Sequence, residues 1–205
     1  DVLFINNLYL PIYANAGVLE KIKPNEISTK AFYPKSLETL SYDGNLYAIP
    51  RDISNLVIYY NKDIFDKYNV PYPSKNWTFS DFLETAQKLT KDTNNDGKID
   101  IFGISFEEDL LFYMPYLMRE GGGVLSDDLK TNILNSPQSQ KGLQFYANLR
   151  KKYHVAPYSC ESGSATMAQL FLQKRLAMQL SGRWLIPKYR TDAKFNWDIS
   201  AFPNG

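Results

Sequence analysis

Uninterrupted apolar runs and amphipathic stretches follow one another along this chain, and they predict strands and helices. Residues 56–60 read LVIYY without a polar interruption, which is typical of a strand buried on both faces of an α/β sheet. Further strands are predicted at residues 1–5, 176–180 and 197–200. Apolar residues at helical spacing predict helices in residues 10–20, from Phe79 onwards, from 136 to about 153 and from about 166 to 174. The pattern therefore favours an α/β fold.

A polar segment precedes the run at 56–60. Asp43 and Gly44 form a predicted turn, residues 46–49 alternate as a short strand does, and Pro50 ends that strand because it has no backbone N–H to donate. The polar residues that follow are Arg51, Asp52, Ser54 and Asn55. Because they lie between two predicted strands, we expect these side chains to contact a ligand.

The segment 42–65, YDGNLYAIPRDISNLVIYYNKDIF, resembles the extracytoplasmic solute-binding proteins of ABC importers, the group that includes maltose-binding protein. In that family, Y-D/N-G-K-L-Y-x-x-P, a few polar residues and an apolar run ending Y-Y-N-K-D-L-F lead from the first lobe across the hinge into the second. Three more stretches match in order, at residues 1–7, 134–137 and 177–184. The resemblance extends over essentially all 205 residues.

This resemblance implies an α/β, type II periplasmic-binding-protein-like fold with two lobes joined by a hinge. The chain is expected to be a fragment with one nearly complete lobe. Residues 1–50 would be a partial N-terminal lobe, 51–55 the hinge crossing, 56–200 the second lobe and 201–205 the return crossing. The signal segment, the first strand and helix, and everything after Gly205 are then expected to be missing.

The resemblance also implies a non-catalytic function, which is to bind a sugar or oligosaccharide between the lobes and deliver it to the permease subunits of an ABC importer. The full-length protein is expected to be an extracytoplasmic monomer, either lipid-anchored to the outer face of the cell membrane or periplasmic. The implied partners are a carbohydrate ligand and the permease.

Composition restricts the function independently. The 23 basic and 22 acidic residues are spread along the chain and give a net charge of +1, so no electrostatic footprint for nucleic acid is visible. The single cysteine, Cys160, excludes an internal disulfide, and the single histidine, His154, argues against a zinc cluster or a Ser-His-Asp or Cys-His catalytic site. The longest apolar run has five residues, whereas a membrane helix needs about 20.

Loops after predicted strands carry further candidates, because open α/β sheets bind ligands at the carboxyl ends of their strands. Asn6, Asn7 and Tyr9 follow the first strand, and the resemblance places this loop against the solute; the alternative is a capping turn with Tyr9 packed. Trp184 follows a strand and a glycine, and the matching tryptophan of the family commonly stacks on the sugar. A place in the core is the alternative for Trp184.

Trp77 is predicted to be structural. Thr78 is placed to cap the next helix with Asp81 at its third position, and Trp77 and Phe82 stand where a hydrophobic staple needs them.

An acidic and aromatic stretch at 107–118, EEDLLFYMPYLM, permits two functional interpretations. Glu107, Glu108 and Tyr113 are candidates for a sugar subsite, because carboxylates accept hydrogen bonds from hydroxyls and aromatic rings cover pyranose faces. Alternatively, Asp52 with Glu107 or Glu108 forms the carboxylate pair of a carbohydrate-active hydrolase or lyase. A third interpretation is structural, with the acids at a helix N-terminus. The core face would then be Leu110, Leu111, Met114, Leu117 and Met118.

Residues 92–100, DTNNDGKID, match the first nine positions of a calcium loop. The candidate oxygen ligands are Asp92, Asn94, Asp96 and Asp100. Gly103 occupies the place of the usual bidentate glutamate, and the nearest replacements are Glu107, Glu108 and Asp109. A polar turn without an ion is the alternative. Calcium is the only cofactor that the sequence suggests, and a calcium-dependent adhesion module is the third class of function considered.

Overall fold

The computed structural model describes residues 1–23, 26–128, 130–163 and 165–204. Their contacts divide the chain into two compact units, Asp1–Ser54 and Asn55–Gly205. We call these unit 1 and unit 2 and describe each by itself. That a hinge crosses residues 51–55 stays a prediction.

Unit 1 consists of short helices and one hairpin. A 3₁₀-helix at Asn7–Tyr9 leads into α1 at Leu10–Asn15, and a second 3₁₀-helix at Thr29–Ala31 precedes α2 at Pro34–Glu38. Strands β1, Ser41–Tyr42, and β2, Asn45–Leu46, pair antiparallel. The predicted turn between them is confirmed. Asp43 and Gly44 both have positive φ, 47° and 72°, as a tight hairpin turn requires.

The strand predicted at residues 1–5 is wrong. These residues have no regular secondary structure, and Val2 and Phe4 are exposed. A strand needs a backbone partner, and within the described part of unit 1 the only paired strands are those of the hairpin. The helix predicted at 10–20 is shorter than expected, because it ends at Asn15 and Gly17 then takes a left-handed conformation with φ 69°.

Unit 2 is built on a four-stranded mixed sheet. Its strands are β3 (Leu56–Asn61), β4 (Phe102–Ser105), β5 (Leu176–Gly182) and β6 (Trp197–Ser200), in the order β4-β5-β3-β6. β4 and β5 are parallel, whereas β3 is antiparallel to both of its neighbours, β5 and β6. The strands predicted at 56–60, 176–180 and 197–200 are confirmed.

Seven α-helices of unit 2 are described. They are α3 (Lys62–Lys67), α4 (Phe79–Leu89), α5 (Leu110–Arg119), α6 (Pro137–Lys151), α7 (Ser159–Ser162), α8 (Met167–Leu172) and α9 (Ile186–Asp192), with a 3₁₀-helix at Arg183–Leu185 before α9. The capping box predicted for α4 is present. Thr78 Oγ1 accepts from the N–H of Asp81 at 3.2 Å, and the N–H of Thr78 donates to Asp81 Oδ2 at 2.7 Å. Among the described helices, none combines the length and the apolar character that a membrane span requires.

Both faces of the sheet are covered by a hydrophobic cluster. Ile58 and Tyr60 face the cluster formed with α4, α5 and α6, whereas Tyr59 faces the cluster formed with α8 and α9. Successive strand residues point to opposite faces, so a strand covered on both sides needs apolar residues at every position. This explains why residues 56–60 lack polar alternation.

The buried face of α5 differs from the one expected. Phe112, Tyr116 and Leu117 are buried, while Leu110, Leu111 and Met118 are exposed. Asp109 caps the helix by accepting from the N–H of Leu111 at 2.8 Å. The aromatic side chains, whose burial removes more apolar area from water, face the core.

Trp77 belongs to the core, as predicted. Its side chain is 3% exposed, its indole N–H donates to the carbonyl of Ala201 at 3.0 Å, and Phe82 packs edge-on against it. The N–H of Asn204 donates to the carbonyl of Trp77 at 2.9 Å. Residues 201–204 therefore pack within unit 2. The return crossing predicted at 201–205 stays a prediction, and Gly205 lies outside the described residues.

Candidate ligand-binding site

One edge of the unit 2 sheet brings together four of the predicted site residues. The parallel strands β4 and β5 both end at this edge, and the antiparallel β3 begins there, with Leu56 opposite Gly182. Glu107 and Glu108 follow β4, Trp184 follows β5, and Asn55 precedes β3. We call this edge, with residues 55, 106–108 and 182–184, the ligand edge.

A pocket of about 220 Å³ opens beside the end of β4. Its lining includes Phe106, Glu107, Glu108, Arg150 of α6, and Thr166 and Met167 at the start of α8. The pocket thus combines two carboxylates and one guanidinium with apolar surface. Such a mixture is typical of small-molecule sites, where apolar walls supply affinity and a few polar groups fix orientation.

Helix α6 holds the acidic segment in place. Arg150 forms an ion pair with Glu108, and its guanidinium carbon lies 4.9 Å from the centre of the Phe106 ring. The hydroxyl of Tyr146 donates to the main-chain oxygen of Glu107 at 3.2 Å. The Arg150 side chain is 14% exposed and that of Glu108 is 60% exposed. The mostly buried Arg150 therefore binds the Glu108 carboxylate, which still faces solvent.

Tyr113, the third candidate in this stretch, is half-buried on α5, with its ring centre 6.1 Å from that of Tyr146. Burial raises the pKa of Tyr146 to about 12, so its hydroxyl keeps its proton and remains a donor to Glu107. The two tyrosines connect α5, α6 and the acidic segment.

Trp184 is held in the 3₁₀-helix after β5, and 49% of its surface is exposed. This exposure argues against the alternative of a core residue. In β5, which precedes it, the carbonyl of Gly182 accepts from the hydroxyl of Tyr59 at 2.8 Å, and Gln179 Oε1 accepts from Tyr189. Burial raises the pKa of Tyr59 to about 12, although the charge of Arg183 lowers it, so this donor also stays protonated.

Sequence reasoning missed the residues that support the ligand edge, namely Tyr59, Tyr146, Arg150 and Tyr189. Arg150 and Glu108 are 42 positions apart, and Tyr59 and Gly182 are 123 apart. In the sequence, each of the tyrosines is indistinguishable from an ordinary core residue. Local pattern carries no signal for such contacts.

The remaining candidates lie in unit 1. Asn6 caps the first 3₁₀-helix by accepting from the N–H of Leu8 at 3.0 Å, while Asn7 and Tyr9 are exposed. Asp52 Oδ2 accepts from Nε of Arg51 at 3.1 Å and from Nη2 at 2.9 Å. Ser54 is exposed at the end of this unit. Ligand binding by Asn6, Asn7, Tyr9, Arg51, Asp52 and Ser54 stays a prediction.

The predicted calcium loop satisfies its oxygens internally. The Asp92 carboxylate accepts from the N–H groups of Asn95, Asp96 and Gly97, at 2.8 to 3.3 Å. Asp96 accepts from the N–H of Lys98, and Asp100 accepts from both the N–H and the hydroxyl of Thr93. Among the described residues, no three His, Cys, Asp or Glu side chains are grouped so that they could hold a metal ion. The oxygens are of the type that binds calcium, but here they accept hydrogen bonds from the loop itself, so the geometry favours the polar turn.

Comparisons with known proteins agree on one family. The family model described as "Bacterial extracellular solute-binding protein" matches residues 1–205. A maltotriose-binding protein of Pyrococcus abyssi is 26% identical over 194 residues, which cover 93% of this chain and 39% of that protein. A maltodextrin-binding protein of Bacillus subtilis is 28% identical over 203 residues, covering 92% of this chain and 45% of that protein. The chain thus spans less than half the length of each relative.

Solved structures show the same likeness. An ABC substrate-binding protein from Listeria monocytogenes, in complex with cycloalternan, superposes with a TM-score of 0.84 at 28% identity. The superposition covers 96% of this chain and 50% of the Listeria protein. The periplasmic-binding-protein-like fold expected from the sequence is therefore confirmed.

Proposed function

The chain belongs to the family of bacterial extracellular solute-binding proteins, and from this premise we propose that the protein binds an extracellular sugar or oligosaccharide and delivers it, chemically unchanged, to an ABC importer. The observation that carries the proposal is the ligand edge, where two glutamates and a half-exposed tryptophan follow adjacent strands. The names of the relatives support it, since they include a maltotriose-binding and a maltodextrin-binding protein.

The chemistry of the ligand edge suits a neutral polyhydroxylated ligand. The Glu107 and Glu108 carboxylates can each accept two hydrogen bonds from neighbouring hydroxyls, and Asn55 can both donate and accept. The indole of Trp184 supplies an apolar face for a sugar ring. Since Glu108 is already held by Arg150, little conformational entropy is lost when a ligand binds it.

The unit 1 residues predicted to contact the solute are Asn6, Asn7, Tyr9, Arg51, Asp52 and Ser54. Closure of the two lobes would be driven by the ligand, because a solute contacts both walls only in the closed state. The permease partner, the monomeric state and a lipid anchor or periplasmic location of the full-length protein are parts of this proposal.

The enzyme alternative finds no support in the relatives, which are named as binding proteins. It would pair Asp52, whose carboxylate accepts hydrogen bonds from Arg51, with Glu107 or Glu108.

A thermal-shift screen of carbohydrates on the intact protein tests the proposed function. We expect saturable stabilisation by maltodextrins or a related sugar, with no release of reducing ends after prolonged incubation. The absence of stabilisation by every carbohydrate, or the appearance of new reducing ends, would contradict it.

A further inference from the structure

Gly182, the last residue of β5, lies directly against the indole of Trp184. A Cβ atom added at Gly182 would lie 1.9 Å from Cζ3, 2.2 Å from Cε3 and 2.3 Å from Cη2 of that indole. Non-bonded carbon atoms optimally lie about 3.5 to 4.0 Å apart. Any other residue at this position therefore requires either the backbone or the indole to move.

The backbone of Gly182 does not itself require glycine. Its φ of −93° and ψ of 169° are extended values that any residue adopts. By contrast, glycines such as Gly17 and Gly44 have positive φ and open space around the missing Cβ. The need for glycine at position 182 is thus steric, and the three atoms nearest to the missing Cβ all belong to the Trp184 indole.

In this contact, the backbone of Gly182 is less free to move than the indole of Trp184. Gly182 is buried, pairs with Leu56 of β3, and its carbonyl accepts the hydrogen bond of Tyr59. Trp184 is half-exposed, and the atoms in question are the far end of its side chain. A methyl group at position 182 would therefore displace the indole, not the strand.

We infer that Gly182 is a positioning residue: because it has no side chain, the Trp184 ring can lie against the backbone, and this fixes the position and orientation of the ring at the ligand edge. The part of this inference that concerns the sugar rests on the proposed function. The part that concerns the indole does not, because it follows from the packing of the ligand-free protein.

The test compares Gly182→Ala with the wild type and with Trp184→Ala in the intact protein. In ¹H–¹⁵N spectra without ligand, the indole N–H signal of Trp184 is the one that Trp184→Ala removes. We expect Gly182→Ala to shift this signal while the signals of Trp77 and Trp197 stay in place. With maltotriose as the probe, calorimetry should give a loss of affinity of about tenfold, similar to that of Trp184→Ala.

Gly123→Ala is the matched control, because a Cβ there would meet Ile133 Cδ1 and the Leu125 carbonyl at 3.5 and 3.6 Å, which are ordinary contacts. It should leave the Trp184 signal and the affinity unchanged. The double variant Gly182→Ala with Trp184→Ala should melt like Trp184→Ala and lose no further affinity, even if Gly182→Ala alone folds poorly.

An unshifted Trp184 signal in Gly182→Ala would overturn the inference. So would a double variant that is less stable or binds more weakly than Trp184→Ala, since position 182 would then act through something other than the indole. If the wild type binds no carbohydrate, the proposed function fails, and the Trp184 signal still decides whether Gly182 positions the ring.

Discussion

Two tryptophans were predicted to have different roles, Trp77 in the fold and Trp184 in ligand binding. Trp77 is 3% exposed and its indole N–H is bonded to Ala201, whereas Trp184 is 49% exposed at the end of a strand. The sequence predicted both roles from local context, a hydrophobic staple for one and a strand followed by glycine for the other. It did not predict that Gly182 and Trp184 are in contact with each other, because a glycine after a strand also fits an approaching ligand.

Alanine substitution should separate the two tryptophans. Trp77→Ala removes a buried side chain and should lower the free energy of unfolding by about 3 to 5 kcal/mol. Trp184→Ala should change the melting temperature little and weaken sugar binding about tenfold. Denaturant unfolding and calorimetry on the intact protein measure both. A large loss of stability in Trp184→Ala with unchanged affinity would assign Trp184 to the core.

The pair of Arg150 and Glu108 gives a second prediction at this scale. Arg150 is mostly buried and Glu108 is mostly exposed, so the pair should contribute little to stability, at most about 1 kcal/mol. The role of Arg150 would be to orient Glu108. We expect Arg150→Met and Glu108→Gln each to weaken sugar binding several-fold.

A double-mutant cycle decides whether Arg150 acts through Glu108. The double variant should bind sugar as tightly as the single variant with the lower affinity, because both substitutions remove the same oriented carboxylate. Lys151→Met, on the exposed neighbouring residue of α6, is the control and should bind normally. Additive losses would show that Arg150 contacts the sugar independently.

At the scale of secondary structure, two local patterns were interpreted correctly. The run at 56–60 was predicted because a strand covered on both faces needs apolar residues at every position, and the capping box at Thr78 because its hydrogen bonds are local. The prediction of a strand at residues 1–5 was wrong because the apolar pattern does not reveal whether the strand has a pairing partner. The prediction of the buried face of α5 was wrong because both aromatic and aliphatic residues could occupy that face.

The capping box of α4 should make stability depend on acid. Hydrogen bonds from the N–H and the hydroxyl of Thr78 lower the pKa of Asp81 below its ordinary value of 3.8. The folded pKa is thus below the unfolded one, so the stabilisation is complete above about pH 4 and is lost as the pH falls through the lowered pKa. Asp81→Asn should be less stable at neutral pH and should lose less stability on acidification, as urea unfolding at several pH values would show. An identical acid dependence in both proteins would exclude this role for Asp81.

The loop at 92–100 should form without an ion. Its carboxylates already accept hydrogen bonds from its own N–H groups, so calcium would have to displace them. We expect millimolar calcium or a chelator to leave the melting temperature unchanged. A stabilisation by calcium that the chelator reverses and Asp96→Asn abolishes would restore the calcium site predicted from the sequence.

For the whole molecule, the resemblance of segment 42–65 to solute-binding proteins carried most of the prediction, and the family is confirmed over residues 1–205. The composition of the ligand edge was only partly predictable. Asn55 and Trp184 were predicted from their places next to predicted strands. Glu107 and Glu108 were predicted from the hydrogen-bonding chemistry of carboxylates beside aromatic rings. The side chains of α6 and β3 that support these residues could not be predicted, because contacts between distant segments leave no local pattern in the sequence.

The central claim is that the ligand edge of unit 2 forms one wall of a carbohydrate site. Hydrogen exchange of the intact protein, measured by mass spectrometry with and without saturating maltotriose, tests it most directly. We predict slower exchange at residues 55, 106–108 and 182–184, with the sugar recovered unchanged. Saturable binding that leaves exchange at all three segments unaltered would contradict the account.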